Sequence, residues 1–276
     1  MHQKALYNAV KTPKLLVLLG LVICLFTACY EKAATSKNVF SYNEATGIAT
    51  LDPAFAKNQS IMWAVHQIYN TLVEIDSNLN IVPSLAKSWE VSEDRKTYRF
   101  HLRTNVYFTP DEAFKGGNGR KLVAADVAYS LGRIIDKTVA SSGAWIFNGR
   151  VDSVMPFVVI NDSTFELRLQ RPFHPIMGIL STQYCSVVPK EVVEKYGKDF
   201  RRHPCGTGPF LLKSWDEGEA MILHKNKNYW ELDSAGVRLP YLDAVKINFF
   251  DNKATEFLQF RQGKLSFVND IDASFK

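Results

Sequence analysis

The sequence predicts a mixed α/β fold that is divided between two lobes. Two kinds of periodicity indicate this class. Apolar residues alternate with polar ones in several short segments, and they recur at helical spacing in several others. The chain has 276 residues, of which 46% are hydrophobic and 12% are aromatic. A chain of this length and composition can bury enough apolar surface to form more than one lobe.

The charge of the chain argues against nucleic acid or an anionic membrane surface as a partner. The formal charge of +5 includes Lys4, Lys11 and Lys14, which lie in a segment, residues 1–28, that has no acidic side chain. Without this segment, 30 basic side chains remain against 28 acidic ones. That balance provides no electrostatic footprint for a polyanion. The six histidines are scattered, so no histidine-rich metal site is predicted.

The N-terminal segment predicts export and lipid attachment. Its lysines precede an apolar run, Leu15 to Phe26, which is too short for a stable membrane span and has the layout of a signal peptide. The small residues before Cys29 resemble a bacterial lipobox, in which the cysteine accepts diacylglycerol. We therefore expect residues 1–28 to be a lipoprotein signal peptide, Cys29 to be the lipidated mature N-terminus and residues 29–38 to be a tether. The alternative is an ordinary signal peptide followed by a chance cysteine.

Two further cysteines, Cys185 and Cys205, remain in the exported part of the chain. An oxidising compartment favours a disulfide between them, but geometry can forbid the bond, so the sequence leaves the pairing open. A catalytic pair of Cys205 with His203 is the other alternative. It is disfavoured because no orienting carboxylate pattern lies nearby in the sequence.

The first elements follow in order from the tether. Val39 to Tyr42 predicts a strand, and a loop that contains Gly47 and ends at Leu51-Asp52-Pro53 comes after it. Residues 60–73 predict an amphipathic helix. Its apolar side chains recur at helical spacing: Ile61, Val65, Ile68, Tyr69 and Leu72.

The middle of the chain predicts strands, a loop and a second helix. Residues 98–102 alternate, with aromatic and aliphatic side chains on one face and His101 between arginines on the other, a solvated face where metal binding is not expected. Residues 115–119 are glycine-bearing, but their spacing is not that of a phosphate-binding loop. Residues 122–136 predict a helix. Its start, Val123-Ala124-Ala125-Asp126, has no capping hydroxyl, and we expect packing to outweigh the loss of a cap worth about 1 kcal/mol.

The remaining elements are hairpins, strands and helices around a glycine-proline pivot. No helix or strand is expected to pass through this pivot, because glycine and proline interrupt regular secondary structure at Gly206, Gly208 and Pro209. The other predicted elements are a hairpin of residues 157–160 and 165–169, a helix that ends at Tyr196, a hairpin of residues 210–215 and 220–225, a strand over residues 245–249, a helix over residues 253–262 and a strand start at residues 264–268.

Several of these segments together resemble the family 5 extracellular solute-binding proteins, the oligopeptide-, dipeptide- and nickel-type receptors of ABC importers. The motifs that carry the resemblance occur in the family's order: Ile68-Tyr69-Asn70-Thr71-Leu72-Val73, Pro83-Ser84-Leu85-Ala86-Lys87-Ser88-Trp89, Tyr98 to Arg103, Gly206-Thr207-Gly208-Pro209-Phe210 followed by Trp215, and Asn226 to Tyr229-Trp230. The resemblance covers essentially all of residues 39–270.

The resemblance implies a periplasmic-binding-protein-like fold of type II, similar to cluster C. It implies that residues 39–81 and 186–276 form a discontinuous first lobe and that residues 82–185 form an inserted subdomain. Family members are longer than this chain, so we expect the second ligand-binding lobe to be absent and the chain to be an N-terminal half. On that expectation, residues 29–276 alone should bind peptides weakly or not at all.

The resemblance also implies a function. Family members bind solutes, most often peptides, outside the cytoplasm by closing two lobes, and they deliver them to a membrane permease. It implies a monomer without a cofactor, anchored to the membrane by the lipid on Cys29. The ligand-contacting residues that it implies are Ala45, Thr46, Gly47, Ile48 and Trp145. A buried core position is the alternative for Trp145.

Other functions stay open on the sequence alone. The fold does not determine the ligand, so a nickel chelate, haem or a sugar could replace the peptide. An extracytoplasmic chaperone or interaction protein is a further alternative. An enzyme is disfavoured, because the chain has neither a nucleophile elbow nor a His-Glu-x-x-His motif.

Overall fold

The computed structural model describes residues 38–271 and 273–275. The predicted signal peptide, the lipidation site Cys29 and the tether as far as Lys37 lie outside the described residues. Within the described part, no helix is both long enough and apolar enough to cross a bilayer. The residues from Asn38 onward form one compact unit.

The described residues form ten strands and five α-helices. The strands are β1 (Val39–Asn43), β2 (Val73–Ile75), β3 (Ile81–Pro83), β4 (Ala86–Val91), β5 (Thr97–Leu102), β6 (Phe157–Asn161), β7 (Thr164–Arg168), β8 (Phe210–Asp216), β9 (Ala220–Lys225) and β10 (Ala244–Asn248). The helices are α1 (Gln59–Ile68), α2 (Ala124–Ile135), α3 (Ile176–Leu180), α4 (Lys190–Tyr196) and α5 (Lys253–Arg261). Short 3-10 turns include Pro53–Phe55, Ala144–Ile146 and Gly197–Arg202.

The strands form two four-stranded sheets and one two-stranded ladder. The first sheet has the order β1-β10-β9-β8, in which β1 and β10 are parallel and the other pairs are antiparallel. The second sheet is antiparallel, with the order β4-β5-β7-β6. All strands of the second sheet fall within the predicted inserted subdomain, residues 82–185. The division into lobes itself stays a prediction, because the buried apolar side chains form a single connected core.

Most predicted elements are present, and one helix is shorter than expected. Helix α1 ends at Ile68 rather than continuing to residue 73, and Tyr69 is extended. The carbonyl oxygen of Ile68 accepts a hydrogen bond from the amide of Gly208 at 2.9 Å. The glycine-proline segment therefore ends the helix by occupying the acceptor that a further helical turn would use. This contact lies outside the local sequence, so periodicity could not predict it.

One other local prediction was wrong, and one was confirmed with an additional contact. Residues 264–268 form no strand, although the amide of Ser266 donates to the carbonyl oxygen of Ser41 on β1 at 2.6 Å. Helix α2 begins without a side-chain cap at Val123, as expected, but the carboxylate of Asp126 accepts a hydrogen bond from the Val123 amide at 2.9 Å. This contact satisfies one of the free amides at the start of the helix.

Candidate functional site

The loop after β1 lies at the end of the first sheet where β1 and β10 both terminate. Its residues Thr46, Gly47 and Ile48 line a cavity of about 350 Å³. The opposite wall comes from the turn between β8 and β9, which is at the same end because β8 and β10 both run antiparallel to β9. The carboxyl ends of strands are where open α/β sheets bind ligands. The predicted loop therefore borders a cavity at a suitable end of the sheet.

The loop is held by its own turn and by one arginine. The amide of Gly47 donates to the carbonyl oxygen of Glu44 at 3.0 Å, and Gly47 has a φ of 67°, which favours glycine. The guanidinium of Arg201 donates to the carbonyl oxygen of Ala49 at 3.3 Å. The amide of Leu51 donates to the carbonyl oxygen of Arg201 at 2.9 Å. The loop is thus fixed at both ends.

The middle of the loop keeps free backbone groups. The side chains of Ala45 and Thr46 are exposed, and the side chain of Ile48 is buried. Among the residues that the structure describes, the amides of Ala45, Thr46 and Ile48 have no hydrogen-bond partner. Free amides along an exposed loop can pair with the main chain of an extended ligand.

The Leu51-Asp52-Pro53 segment is fixed by a buried ion pair with helix α2. The carboxylate of Asp52 accepts two hydrogen bonds from the guanidinium of Arg133, at 3.0 and 2.7 Å, and the two side chains are only 8% and 10% exposed. Asp52 also accepts a hydrogen bond from the amide of Ala54 at 3.0 Å, which caps the 3-10 turn. Burial alone would lower the pKa of Arg133, but the Asp52 carboxylate raises it above its ordinary value. Asp52 is therefore a structural residue in this geometry.

The cavity wall opposite the loop contains charged and aromatic side chains that carry no sequence motif for binding. Glu217 in the β8–β9 turn accepts hydrogen bonds from Arg201, at 3.1 Å, and from Arg202. The guanidinium of Arg202 lies over the ring of Trp215, 5.0 Å from its centroid. Trp215 and Phe249 complete the wall. Phe249 and the loop of residues 44–49 are distant in the sequence from Arg201 and the β8–β9 turn, so only the folded chain shows that they are neighbours.

Trp145, the other predicted ligand contact, does not lie at the loop cavity. It belongs to the 3-10 turn Ala144–Ile146 and is 60% exposed, so the alternative of a buried core position for Trp145 is wrong. It is not among the residues that line the cavity at Thr46 to Ile48. Its carbonyl oxygen accepts a hydrogen bond from Arg150 at 2.8 Å. The structure therefore leaves Trp145 available on the surface without bringing it to the loop cavity.

The two remaining cysteines are both free, so the disulfide that the sequence left open is not formed in this structure. Both thiols are buried, and burial raises the pKa of Cys185 and of Cys205 to about 12. The Cys205 thiol donates to the carbonyl oxygen of Thr109 at 3.2 Å, while the His203 ring stacks on Tyr196 at a centroid distance of 4.1 Å. A protonated, buried thiol is a poor nucleophile.

A second, apolar cavity of about 520 Å³ lies along the exposed side of helix α1. Its aromatic lining residues are Phe40, Tyr42, Trp63 and Phe267. For the described residues, no group of three or more histidine, cysteine, aspartate or glutamate side chains is arranged to hold a metal ion.

The chain is similar to a family of known proteins. Residues 80–276 match the model of bacterial extracellular solute-binding proteins, family 5 Middle. The chain is 31% identical over 233 residues to SapA of Escherichia coli strain K12, a probable ABC transporter periplasmic-binding protein. That match covers 78% of this chain and 42% of SapA. The chain thus spans less than half the length of this relative.

Two solved structures have a similar fold. The periplasmic binding protein DppA from Helicobacter pylori, in complex with the peptide STSA, superimposes with a TM-score of 0.76 and 27% identity. That match covers 86% of this chain and 47% of DppA. MoaA from A. tumefaciens R10, in complex with mannopinic acid, superimposes with a TM-score of 0.73 and 27% identity, covering 85% of this chain and 45% of MoaA.

Proposed function

The chain belongs to the family 5 bacterial extracellular solute-binding proteins, and from this premise we propose that it is part of a lipid-anchored extracytoplasmic receptor that supplies peptides to an ABC importer. The family consists of solute-binding proteins rather than enzymes. The observation that carries the proposal is the similarity to the peptide complex of the Helicobacter pylori protein, which extends over 86% of this chain. The permease partner and the peptide class are parts of the proposal.

The loop of residues 44–49 supports a peptide ligand. The free amides of Ala45, Thr46 and Ile48 are donors that suit the carbonyl groups of an extended main chain. Recognition through the main chain tolerates different ligand side chains, as a peptide receptor requires. Ala45, Thr46, Gly47 and Ile48 are therefore our proposed contacts. Trp145 is an exposed aromatic residue that would contact the ligand from another element.

The lipid anchor is proposed on Cys29. The apolar run of residues 15–26 and the small residues before Cys29 support it. An acyl chain would hold the protein at the outer face of a membrane without a spanning helix. Intact mass of the native protein from membrane extracts tests the assignment. We expect a mass increase that corresponds to diacylglycerol, and replacement of Cys29 by serine should abolish it; an unmodified residue 29 would contradict the anchor.

A second candidate is a receptor for a different small solute. The comparable superposition on MoaA, whose structure contains mannopinic acid, favours it. The fold alone does not distinguish these ligand classes. A nickel chelate, haem or a chaperone role has no comparable support among the observations above.

Calorimetry on the complete gene product with peptides and with mannopinic acid separates the two candidates. We expect heat of binding with short peptides such as STSA and none with mannopinic acid. Binding of mannopinic acid without peptide binding would replace the proposal by its alternative. Binding of neither would contradict both.

A loop variant tests the main-chain contact. Ala45 is the second residue of the turn closed by the Gly47 amide and the Glu44 carbonyl, a position that favours proline. Ala45→Pro therefore keeps the turn and removes one free amide. We expect peptide affinity to fall about fivefold to tenfold, since a hydrogen bond contributes about 1 kcal/mol. Ala45→Ser keeps the amide and is the matched control; equal affinity of the two variants would exclude Ala45 as a donor.

A further inference from the structure

Strand β6 is an edge strand of the antiparallel sheet, and its outer edge is not paired within the described chain. In the order β4-β5-β7-β6, it has β7 on one side and no strand of the described residues on the other. An edge strand presents unpaired N–H and C=O groups, which proteins usually protect with charged side chains. The opposite edge, β4, follows this rule, because it carries Lys87 and Glu90. Strand β6 carries no charge.

The apolar character of this edge extends beyond the strand. The segment from Val154 to Ile160 contains no charged side chain. Val154 is 83% exposed, Met155 53%, Val159 43% and Ile160 48%. Exposed apolar side chains that are concentrated in one short segment mark sites of contact with other proteins, and an uncharged edge strand favours pairing with another strand. The segment of residues 154–160 is therefore suited to strand pairing.

The ladder with β7 determines which backbone groups of β6 face outward. The amide of Arg168 donates to the carbonyl oxygen of Pro156 at 2.9 Å. Because residues of an antiparallel ladder alternate between bonded and non-bonded positions, Val158 also bonds to β7, and Phe157 and Val159 direct their N–H and C=O groups away from it. Pro156 lacks an N–H at a position that faces β7, so the outer edge loses no donor.

We propose that this edge binds the same edge of a second copy of the chain, with the two β6 strands antiparallel. A two-fold axis through Val158 places Phe157 opposite Val159 of the partner subunit, and Val159 opposite Phe157 of the partner subunit. Each of these pairs then exchanges both of its N–H···O bonds. The two four-stranded sheets become one continuous sheet. Closed two-fold contacts of this kind are the commonest way in which identical chains associate.

The side chains of the inner face fit this arrangement. The rings of Phe100, Phe165 and Phe157 are stacked in a row across β5, β7 and β6, with successive centroid distances of 6.2 and 6.4 Å. The row ends at the edge of the sheet, where Phe157 is only partly buried. Val159 of the partner subunit would lie opposite Phe157 and continue the row. Aromatic and β-branched side chains in cross-strand pairs stabilise a sheet.

Charge favours a second copy over an unrelated strand. The acidic residues nearest in the sequence are Asp152 and Asp162. In the two-fold register, Asp162 lies opposite Val154 of the partner subunit and Asp152 lies beyond the end of β6, so no like charges oppose each other. The two β7 strands, which carry the ion-paired Glu166, would be about 14 Å apart, beyond the screening length of about 8 Å. An unrelated strand would have to be uncharged over the same length, and this chain's own edge meets that condition.

This association differs from the monomer that the family resemblance implies, and it does not depend on the proposed ligand. Strand β6 contributes no residue to the cavity at Thr46 to Ile48. Two associated copies therefore each keep that cavity.

A cysteine at the two-fold axis tests the register. The Cα atoms of a non-hydrogen-bonded antiparallel pair are about 4.5 Å apart, within the range of about 4.4–6.8 Å that a disulfide requires. We expect Val158→Cys in the complete gene product to form a covalent dimer on mild oxidation. The thiols of Cys185 and Cys205 are buried and do not compete. Ile160→Cys is the control, because the register separates its two copies by about 13 Å.

Val159→Lys tests whether the apolar edge is required, since lysine on an edge strand opposes pairing. Sedimentation equilibrium of the complete gene product measures the dissociation constant of the dimer, and we expect this variant to raise it about tenfold or more. The thermal unfolding of the subunit should change little, because Val159 is 43% exposed. Val91→Lys is the matched control: Val91 lies on the other edge strand, β4, is 44% exposed, and should leave the dissociation constant unchanged.

The outcomes separate self-association from other uses of this edge. A wild-type protein that is monomeric at every concentration, with no more crosslinking of Val158→Cys than of Ile160→Cys, would overturn the proposal. A dimer that Val159→Lys leaves unchanged would also overturn it, because the contact would then lie on another surface. Crosslinking of Val158→Cys to a different exported protein, without a dimer, would assign the edge to that protein instead. None of these results depends on peptide binding, so the proposed function is tested separately.

Discussion

Gly206 and Gly208 are the residues at which the main chain has the least room. A β-carbon at Gly206 would lie 2.1 Å from the carbonyl oxygen of Ile68, and one at Gly208 would lie 2.6 Å from the same atom. Both contacts are with backbone at the end of helix α1, which cannot move aside as a side chain can. The glycine-proline pivot is therefore glycine-rich for steric reasons, and the close approach permits the hydrogen bond from Gly208 that ends the helix.

Alanine at Gly206 should consequently destabilise the protein strongly. The clash with the Ile68 carbonyl forces the pivot and the helix apart, and overpacking of this kind costs about 1–3 kcal/mol or more. Gly132→Ala is the matched control, because Gly132 lies inside helix α2 with nothing within 4 Å of the added carbon. That change should stabilise by up to about 1 kcal/mol. Urea denaturation measures both, and equal stability of the two variants would contradict the steric argument.

The side chain of Asn70 connects family motifs that lie far apart in the sequence. Its side-chain oxygen accepts hydrogen bonds from Thr207 at 3.0 Å and from the indole of Trp230 at 3.2 Å. Its side-chain nitrogen donates to the hydroxyl of Tyr229 at 3.2 Å. Three separate motifs thus meet at one buried amide. They form a structural junction at the end of the first sheet opposite the loop cavity, where β8 begins and β9 ends.

At the scale of the elements, the antiparallel sheet contains a glutamate held between two arginines. Glu166 on β7 is opposite Arg99 on β5, and its carboxylate accepts hydrogen bonds from Arg99 at 2.7 Å and from Arg168 at 2.8 Å. Burial would raise the pKa of Glu166, but the hydrogen bonds and charges of Arg168 and Arg99 lower it below its ordinary value. The glutamate therefore stabilises the sheet in its charged form.

This depressed pKa predicts a contribution to stability that disappears in acid. Because the folded state holds Glu166 at a lower pKa than the unfolded state, the contribution is fully present above the ordinary pKa of about 4.5 and is lost as the pH falls through the folded-state value. Glu166→Gln should lower the free energy of unfolding by about 1–2 kcal/mol at pH 7. The difference from the wild type should shrink as the pH falls below about 4.5.

Urea denaturation of both proteins across the acidic range measures this difference. Glu93→Gln, in the exposed turn between β4 and β5, is the control and should give a small, pH-independent change. A difference between wild type and Glu166→Gln that stays constant from pH 7 to pH 3 would show that the charge of Glu166 is not the stabilising feature.

Local patterns predicted which elements exist but not where they meet. Alternation placed both hairpins within a residue or so of their observed bounds, because each strand buries one face. The end of helix α1 was missed because Gly208, far along the chain, takes the Ile68 carbonyl. The loop after β1 was predicted as a ligand contact through family resemblance, and this role stays a prediction. No sequence pattern marks Arg201 or Glu217 as neighbours of this loop, and Trp215 entered only as part of a family motif, not as a residue of the cavity wall.

At the scale of the whole molecule, the two sheets share one apolar core. Phe100 and Phe165 of the antiparallel sheet belong to the same connected cluster as Met221 and Ile247 of the first sheet. The buried ion pair between Asp52 and Arg133 adds a polar link between the loop after β1 and helix α2. Breaking such a pair leaves a buried charge without a partner, which costs about 3–5 kcal/mol. Because the buried side chains of both sheets form one cluster, neither sheet would keep a hydrophobic core of its own if the other unfolded.

We therefore expect the described part of the protein to unfold in one cooperative transition. Phe165→Ala in the antiparallel sheet and Met221→Ala in the first sheet each remove a fully buried side chain, at a cost of about 2–5 kcal/mol. Each variant should lower the urea concentration at the midpoint of unfolding, and by the same amount for both sheets. Far-ultraviolet circular dichroism and tryptophan fluorescence, followed in urea on the same samples, should give coincident curves. If Phe165→Ala shifted only part of the signal and left a second transition at the wild-type midpoint, the predicted inserted subdomain would be an independent folding unit, and the shared core would not couple the two sheets.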